Sequence, residues 1–270
     1  MVTYTEDVSH PPSFTKPPWL VLVAAGLVGG LFSGVFGVGG GTIMVPLLLS
    51  WARMDQRRAN ATSLLAITPA AIMGAVSYGI GGVFAWLPAI FVALGSILGA
   101  QVGAWVLRRI PLVPLRWAFI AFIIASGVLL FLEVLSREST FELTIPISLI
   151  LLGLGLFMGV AAGLFGIGGG IVLVPALMVF LGQSDLAAKS VSLIAMAPGA
   201  ISGSISHLRF NTARLRDGLW VALGAVLTAP IGSYISFLLN PRVAAVAFGV
   251  LTLVVAANLI RAALTKPTKD

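Results

Sequence analysis

Gly34-Val35-Phe36-Gly37-Val38-Gly39-Gly40-Gly41, with Pro46 shortly after, returns 129 residues later as Gly163-Leu164-Phe165-Gly166-Ile167-Gly168-Gly169-Gly170, with Pro175 shortly after. Both copies lie in apolar sequence. A glycine weakens a helix by about 1 kcal/mol relative to alanine, so three in a row predict a stop. Interruptions at corresponding places in two apolar halves are the pattern of a binding site built from broken membrane helices. The doubled string therefore points to a transporter.

The surrounding composition agrees. Hydrophobic residues make up 59% of the 270-residue chain and charged residues only 9%, with a mean hydropathy of +1.07. Soluble domains carry about 25% charged residues, so a water-facing surface is out of reach. Apolar stretches of about 20 residues, the length that spans a bilayer, recur. They cover 19–36, 62–80, 85–107, 115–135, 145–165, 190–208, 217–239 and 243–263. Two shorter apolar runs, 42–52 and 171–182, follow the glycine strings. The formal charge of +7 does not indicate nucleic acid, because the basic residues fall in short loops between spans. With no cysteine, disulfides and thiolate metal sites are excluded.

Sliding the chain by 129 residues aligns 30–103 with 159–232, and 26 of the 74 pairs are identical. This is a duplicated membrane bundle. The expected organisation is a disordered cytoplasmic tail over 1–18, a first membrane repeat over 19–136 and a linker over 137–144. A second repeat over 145–264 and a tail over 265–270 follow.

Charge decides how the halves face. If each short run merely completes the helix before it, Lys and Arg divide eight to eight between the two sides. If the chain turns back at each glycine string, 13 share one side, and only Arg137, Lys189 and Arg242 lie opposite. The positive-inside rule favours the second arrangement. Each half then crosses an odd number of times, so the repeats are inverted and both termini are cytoplasmic. The expected fold is all-α: two inverted repeats, each a glycine-broken hairpin plus three long spanning helices.

Inverted hairpins bring Gly37, Gly39, Gly40, Gly41 and Thr42 opposite Gly166, Gly168, Gly169, Gly170 and Ile171 near the bilayer centre. A helix N-terminus presents unpaired N–H groups and about half a positive charge, which makes an anion cradle without buried Lys or Arg. The competing reading is that the glycines serve only close helix packing. Packing is the better account of Gly95, Gly99 and Gly103, four residues apart on one face, and of Gly224 with Gly232. Pro46 and Pro175 either begin the short helices or kink them.

A second matched segment runs Ala59–Leu64 and Ala188–Leu193. Thr62, Ser63, Ser190 and Ser192 there are candidates for helix caps or for ligand donors. Asn60 and Lys189 are matched polar residues, and Lys189 reads as a loop charge. Gln101, alone within an apolar span, is a further candidate contact, and His207, matched to Tyr78, a candidate proton-coupling residue. Trp19, Trp86, Trp117 and Trp220 read as interface anchors. Asp185 and Asp217 read as loop residues, leaving no carboxylate inside a span. No metal or cofactor is expected, and an enzyme is disfavoured because His10 and His207 are the only histidines.

The Gly-x-Gly-Gly-Gly strings, the Val-Pro-x-Leu at Val45–Leu48 and Val174–Leu177, and the segments Ala59–Leu64 and Ala188–Leu193 resemble the sulfite exporter TauE/SafE family of membrane permeases. Ala61 and Ser190 stand where that family usually has glycine, and Val191 where it usually has threonine. The resemblance implies movement of small sulfur-containing anions (sulfite, sulfoacetate or related organosulfonates) across a bacterial-type inner membrane. The residues by themselves reach only a small anion held by alternating access. An anion channel, or a carrier of a small carboxylate or other non-sulfur oxyanion, stands as the alternative. The expected partners are the anionic substrate and the lipid bilayer, with a homodimer left open and no nucleic acid.

Overall fold

Met44 packs on Gly29, and Gly40 approaches the Gly29 carbonyl, so the chain reverses at the first glycine string. This is seen in a computed structural model that describes residues 17–106, 144–165, 168–209 and 213–265, with 117, 120, 121, 124, 125 and 128. Most of the expected 115–135 span, of the linker and of both tails, and also Gly166, lie outside the described residues.

Nine helices appear among the described residues. They are α1 (Trp19–Phe36), α2 (Gly41–Ser50), α3 (Gln56–Ile80), α4 (Trp86–Val106) and α5 (Ile145–Phe165). After these come α6 (Gly170–Leu181), α7 (Asp185–Arg209), α8 (Leu215–Leu238) and α9 (Pro241–Thr265). Six are long and apolar enough to cross a membrane, which makes this a polytopic membrane protein. The short helices α2 and α6, with 10 and 12 residues, extend only about 15–18 Å, roughly half the hydrocarbon thickness.

Two long helix pairs organise the bundle, and they repeat each other. Along α1, Gly26 and Gly34 lie against the backbone of α8 at Val221 and Ala229. Along α5, Gly155 and Gly159 lie against α4 at Val92 and Ser96. The register rises together on both helices of each pair, so α1 runs parallel to α8, and α4 parallel to α5. Shifting Gly26 and Val221 by 129 residues yields Gly155 and Val92. Gly95 and Gly99 do serve close approach, pressing on the Leu152 and Leu156 carbonyls of α5, and Gly224 and Gly232 press on Val23 and Leu31 of α1. Thr228, standing where the first half has Gly99, donates its Oγ1 hydrogen to the Leu27 carbonyl at 2.7 Å.

Several residues expected in loops are helical. Asp185 and Lys189 lie in α7 and Asp217 in the first turn of α8, all buried. Helix α3 starts at Gln56, capped by Asp55, which accepts the Arg58 amide at 2.9 Å. Thr62 and Ser63 therefore sit beyond its first turn and do not cap it. Pro46 and Pro175 each stand sixth in a helix, not first. There they remove an amide and release the carbonyl four residues earlier, that of Thr42 or Ile171.

Buried ion pairs close the two ends of α8. Arg58 Nη2 binds Asp217 Oδ2 at 2.6 Å near its start. Lys189 Nζ lies 3.5 Å from Asp185 Oδ2 and donates to Ser236 Oγ at 2.8 Å near its finish. The matched segments 55–60 and 184–189 thus meet opposite ends of one helix about 36 Å long. Trp19 packs at a tilt against Trp220 with ring centroids 5.3 Å apart, and Trp86 and Trp117 are exposed.

Candidate functional site at the glycine turns

Helix α1 stops because Gly37 adopts φ 69°, and Gly39 and Gly40 follow at 76° and 73°. Gly168 and Gly169 repeat this at 83° and 77°. These left-handed conformations strain any L residue with a side chain, so the glycines are required by the backbone before any ligand is considered.

The two turns touch. A Cβ placed on Gly170 would lie 2.6 Å from the Gly37 carbonyl oxygen and 2.7 Å from Val38 Cα. The missing Cβ atoms of Gly39 and Gly168 both point at Met196 and Ile67, themselves a matched pair. Gly37 lies against Lys189, and its carbonyl accepts the Ser192 hydroxyl at 2.7 Å. Packing therefore accounts for the absent side chains. It does not account for the amides. The N–H groups of Gly39, Gly40, Gly41 and Thr42, and of Gly168, Gly169, Gly170 and Ile171, find no acceptor among the described residues. Helices α2 and α6 thus both begin where the turns touch, each with amides that lack an acceptor among the described residues.

The remaining candidates divide. Ser63 Oγ donates to the Asn60 carbonyl at 3.1 Å and Ser190 Oγ to the Val83 carbonyl at 3.0 Å. Gln101 is exposed on α4, and His207 is half-buried near the end of α7, so neither joins the turns. Among the described residues no cluster of His, Cys, Asp or Glu is arranged to hold a metal.

Buried hydroxyls without partners add to the set. Ser33, Thr42 and Thr62 are 0%, 4% and 0% exposed, and their oxygens form no hydrogen bond. Each such group costs about 1–3 kcal/mol. Three of them equal a large part of the ~5–15 kcal/mol that holds an ordinary domain together. Sequence reasoning passed over Ser33. Its signal was available in the repeat alignment, where it stands opposite Ala162.

The family model described as sulfite exporter TauE/SafE matches residues 3–130 and 151–270. A probable membrane transporter protein of Bacillus subtilis, YunE, is 23% identical, the match covering 90% of this chain and 97% of that protein. A probable membrane transporter protein of Xylella fastidiosa strain 9a5c is also 23% identical, over 89% of this chain and 94% of its own length. No solved structure matches.

Proposed function

The chain belongs to the sulfite exporter TauE/SafE family and is a membrane transporter, and from that premise we propose a secondary carrier of small sulfur-containing anions working by alternating access. The observation that carries the reading is the meeting of two glycine turns, each with amides at a helix start that find no acceptor among the described residues. The anion, sulfite or an organosulfonate, exchanges its water for these amides, and no buried cation is needed to hold it. Met196 and Ile67, wedged between the turns, are apolar side chains of which the methionine has the freer rotamers. Their displacement opens the amides to one face or the other.

In this reading the repeats are inverted. The contact of Arg58 with the start of α8 and of Lys189 with its finish supports it. If the chain did not turn back at Gly37–Gly41, segment 55–58 and the start of α8 would lie on opposite faces of the bilayer. The positive-inside rule then sets the α3 start, and both termini, on the cytoplasmic side of the inner membrane.

The test is uptake by the purified chain in liposomes. Labelled sulfite and ethanesulfonate should enter saturably and faster when the vesicles are preloaded with unlabelled anion. Unsaturable flux with single-channel currents would make it a channel. Uptake of acetate with exclusion of both sulfur anions would move the substrate class to carboxylates.

A further inference from the structure

The repeats agree in backbone but not in side-chain chemistry around their short helices. On α1, Leu22 and Ala25 belong to the apolar core shared with α2, and Gly29 touches Met44 and Gly40. Ser33 continues that stripe one turn further on. On α3, Ala59, Ala66 and Ala70 share the same core, and Thr62 falls on their stripe at helical spacing. Thr42 is the second residue of α2 itself. Three helices packed together around α2 thus each bury an unpartnered hydroxyl.

The matched residues in the second repeat are Ala162, Ile171 and Val191, all buried and none able to hydrogen-bond. Local helix geometry does not explain the orphaned hydroxyls. Ser77 and Ser233 donate to the carbonyl four residues earlier, at 2.8 and 3.1 Å, the ordinary outlet for a helical serine. Ser33 and Thr62 make no such bond. Thr68, also unpartnered, is only half-buried as a residue, and the reverse case, Ser204 opposite Ala75, lies about three turns beyond Ser192 on α7.

We infer that the ligand is held asymmetrically: its oxygens face Ser33, Thr42, Thr62 and the amides of the turns, and its remaining atoms lie against the side chains of Ile171, Val191 and Met196. This rests on the anion-carrier reading above and narrows its substrate. The site fits an amphipathic monoanion, one oxyanion head on a short alkyl body, and disfavours an ion with oxygen on every side. A fully oxygenated dianion would set oxygens against the Ile171, Val191 and Met196 side chains, none of which can replace their water.

Calorimetric titration of the purified full chain tests this with ethanesulfonate, propanesulfonate and sulfate. Ethanesulfonate should bind at least tenfold more tightly than sulfate. Thr42→Val and Thr62→Val should each weaken ethanesulfonate binding about tenfold or more, the loss expected for a hydrogen bond to a charged group. Thr42→Ser should restore most of it. Ile171→Thr, which adds a hydroxyl to the second repeat, should narrow the preference over sulfate at least threefold. Equal binding of sulfate and ethanesulfonate, hydroxyl deletions without effect in monodisperse protein, or an unchanged preference in Ile171→Thr would each overturn the asymmetry. Any of these leaves the anion reading standing. Should wild-type protein bind none of the three, while sulfite uptake into liposomes is also absent, the anion reading itself falls.

Discussion

Gly39 and Gly168 hold nearly the same left-handed backbone, φ 76° and 83°, and both aim their missing side chains at Met196 and Ile67. Three residues later the likeness ends, with Thr42 in one repeat and Ile171 in the other. Where a turn needs positive φ and the neighbour leaves no room, only glycine serves, so both copies keep it. Where a side chain faces an enclosed space, polarity is free to diverge. The backbone of the two turns thus reports the duplication, and the side chains beside them are where the copies part. The comparison holds only if the turns belong to repeats that face opposite ways. Because the chain has no native cysteine, single cysteines can read this directly. Arg57→Cys and Arg216→Cys should react with an impermeant maleimide from one face, and Asn240→Cys, at the far end of α8, only from the other. Labelling of residues 57 and 216 from opposite faces would break the inverted arrangement outright.

The next effect separates the turns themselves. A Cβ on Gly40 presses on the Gly29 carbonyl, where α1 has no side chain that can yield. On Gly169 the Cβ presses most closely on Met158 Cγ, whose side chain can swing, with the Met158 carbonyl oxygen at 2.8 Å. Both sites add left-handed strain of about 1–3 kcal/mol, and overpacking adds a similar amount where nothing moves. Gly40→Ala should therefore reduce transport at least tenfold and lower the thermal midpoint more than Gly169→Ala. Equal damage would mean that side-chain freedom at position 158 is irrelevant and that the backbone alone sets the cost.

Much of this was legible in the sequence. Helices α1 and α5 span 19–36 and 145–165, matching the apolar stretches, and the glycine strings break the chain where three glycines must. The small-residue spacing at Gly95 and Gly99 gave the tight α4–α5 seam. What escaped was the polar beginning of α3 and of α7. Gln56, Arg57 and Arg58 look like loop because an apolar window stops at charge, yet Asp55 caps them into α3. Asp217 and Lys189 escaped for a related reason. A buried charge is tolerated only when paired, and the partner of Asp217 lies 159 residues away. Of the candidate ligand residues, Gln101 and His207 were chosen for polarity within a span. Polarity alone does not say which face of a helix turns inward, and Gln101 turns outward.

That long-range pair offers the last separation of the two repeats. Arg58 and Asp217 join α3 to α8 at one end of the bundle only, since the matched positions are Ala187 and Pro88. Their side chains are 4% and 11% exposed, so neither charge has water to fall back on. Deleting one partner strands the other, which costs about 3–5 kcal/mol, whereas deleting both costs far less. Arg58→Ala should therefore lower the thermal midpoint in detergent by more than Arg58→Ala/Asp217→Ala does. The coupling is readable as a double-mutant cycle because the two side chains touch. Arg58 also has a further partner, so the double variant should recover part of the loss and not all of it. A double variant no more stable than the single would show that Asp217 loses little when Arg58 is gone. The tie between α3 and α8 would then rest on their apolar packing, including Leu65 against Gly218, and the two ends of α8 would differ in charge without differing in strength.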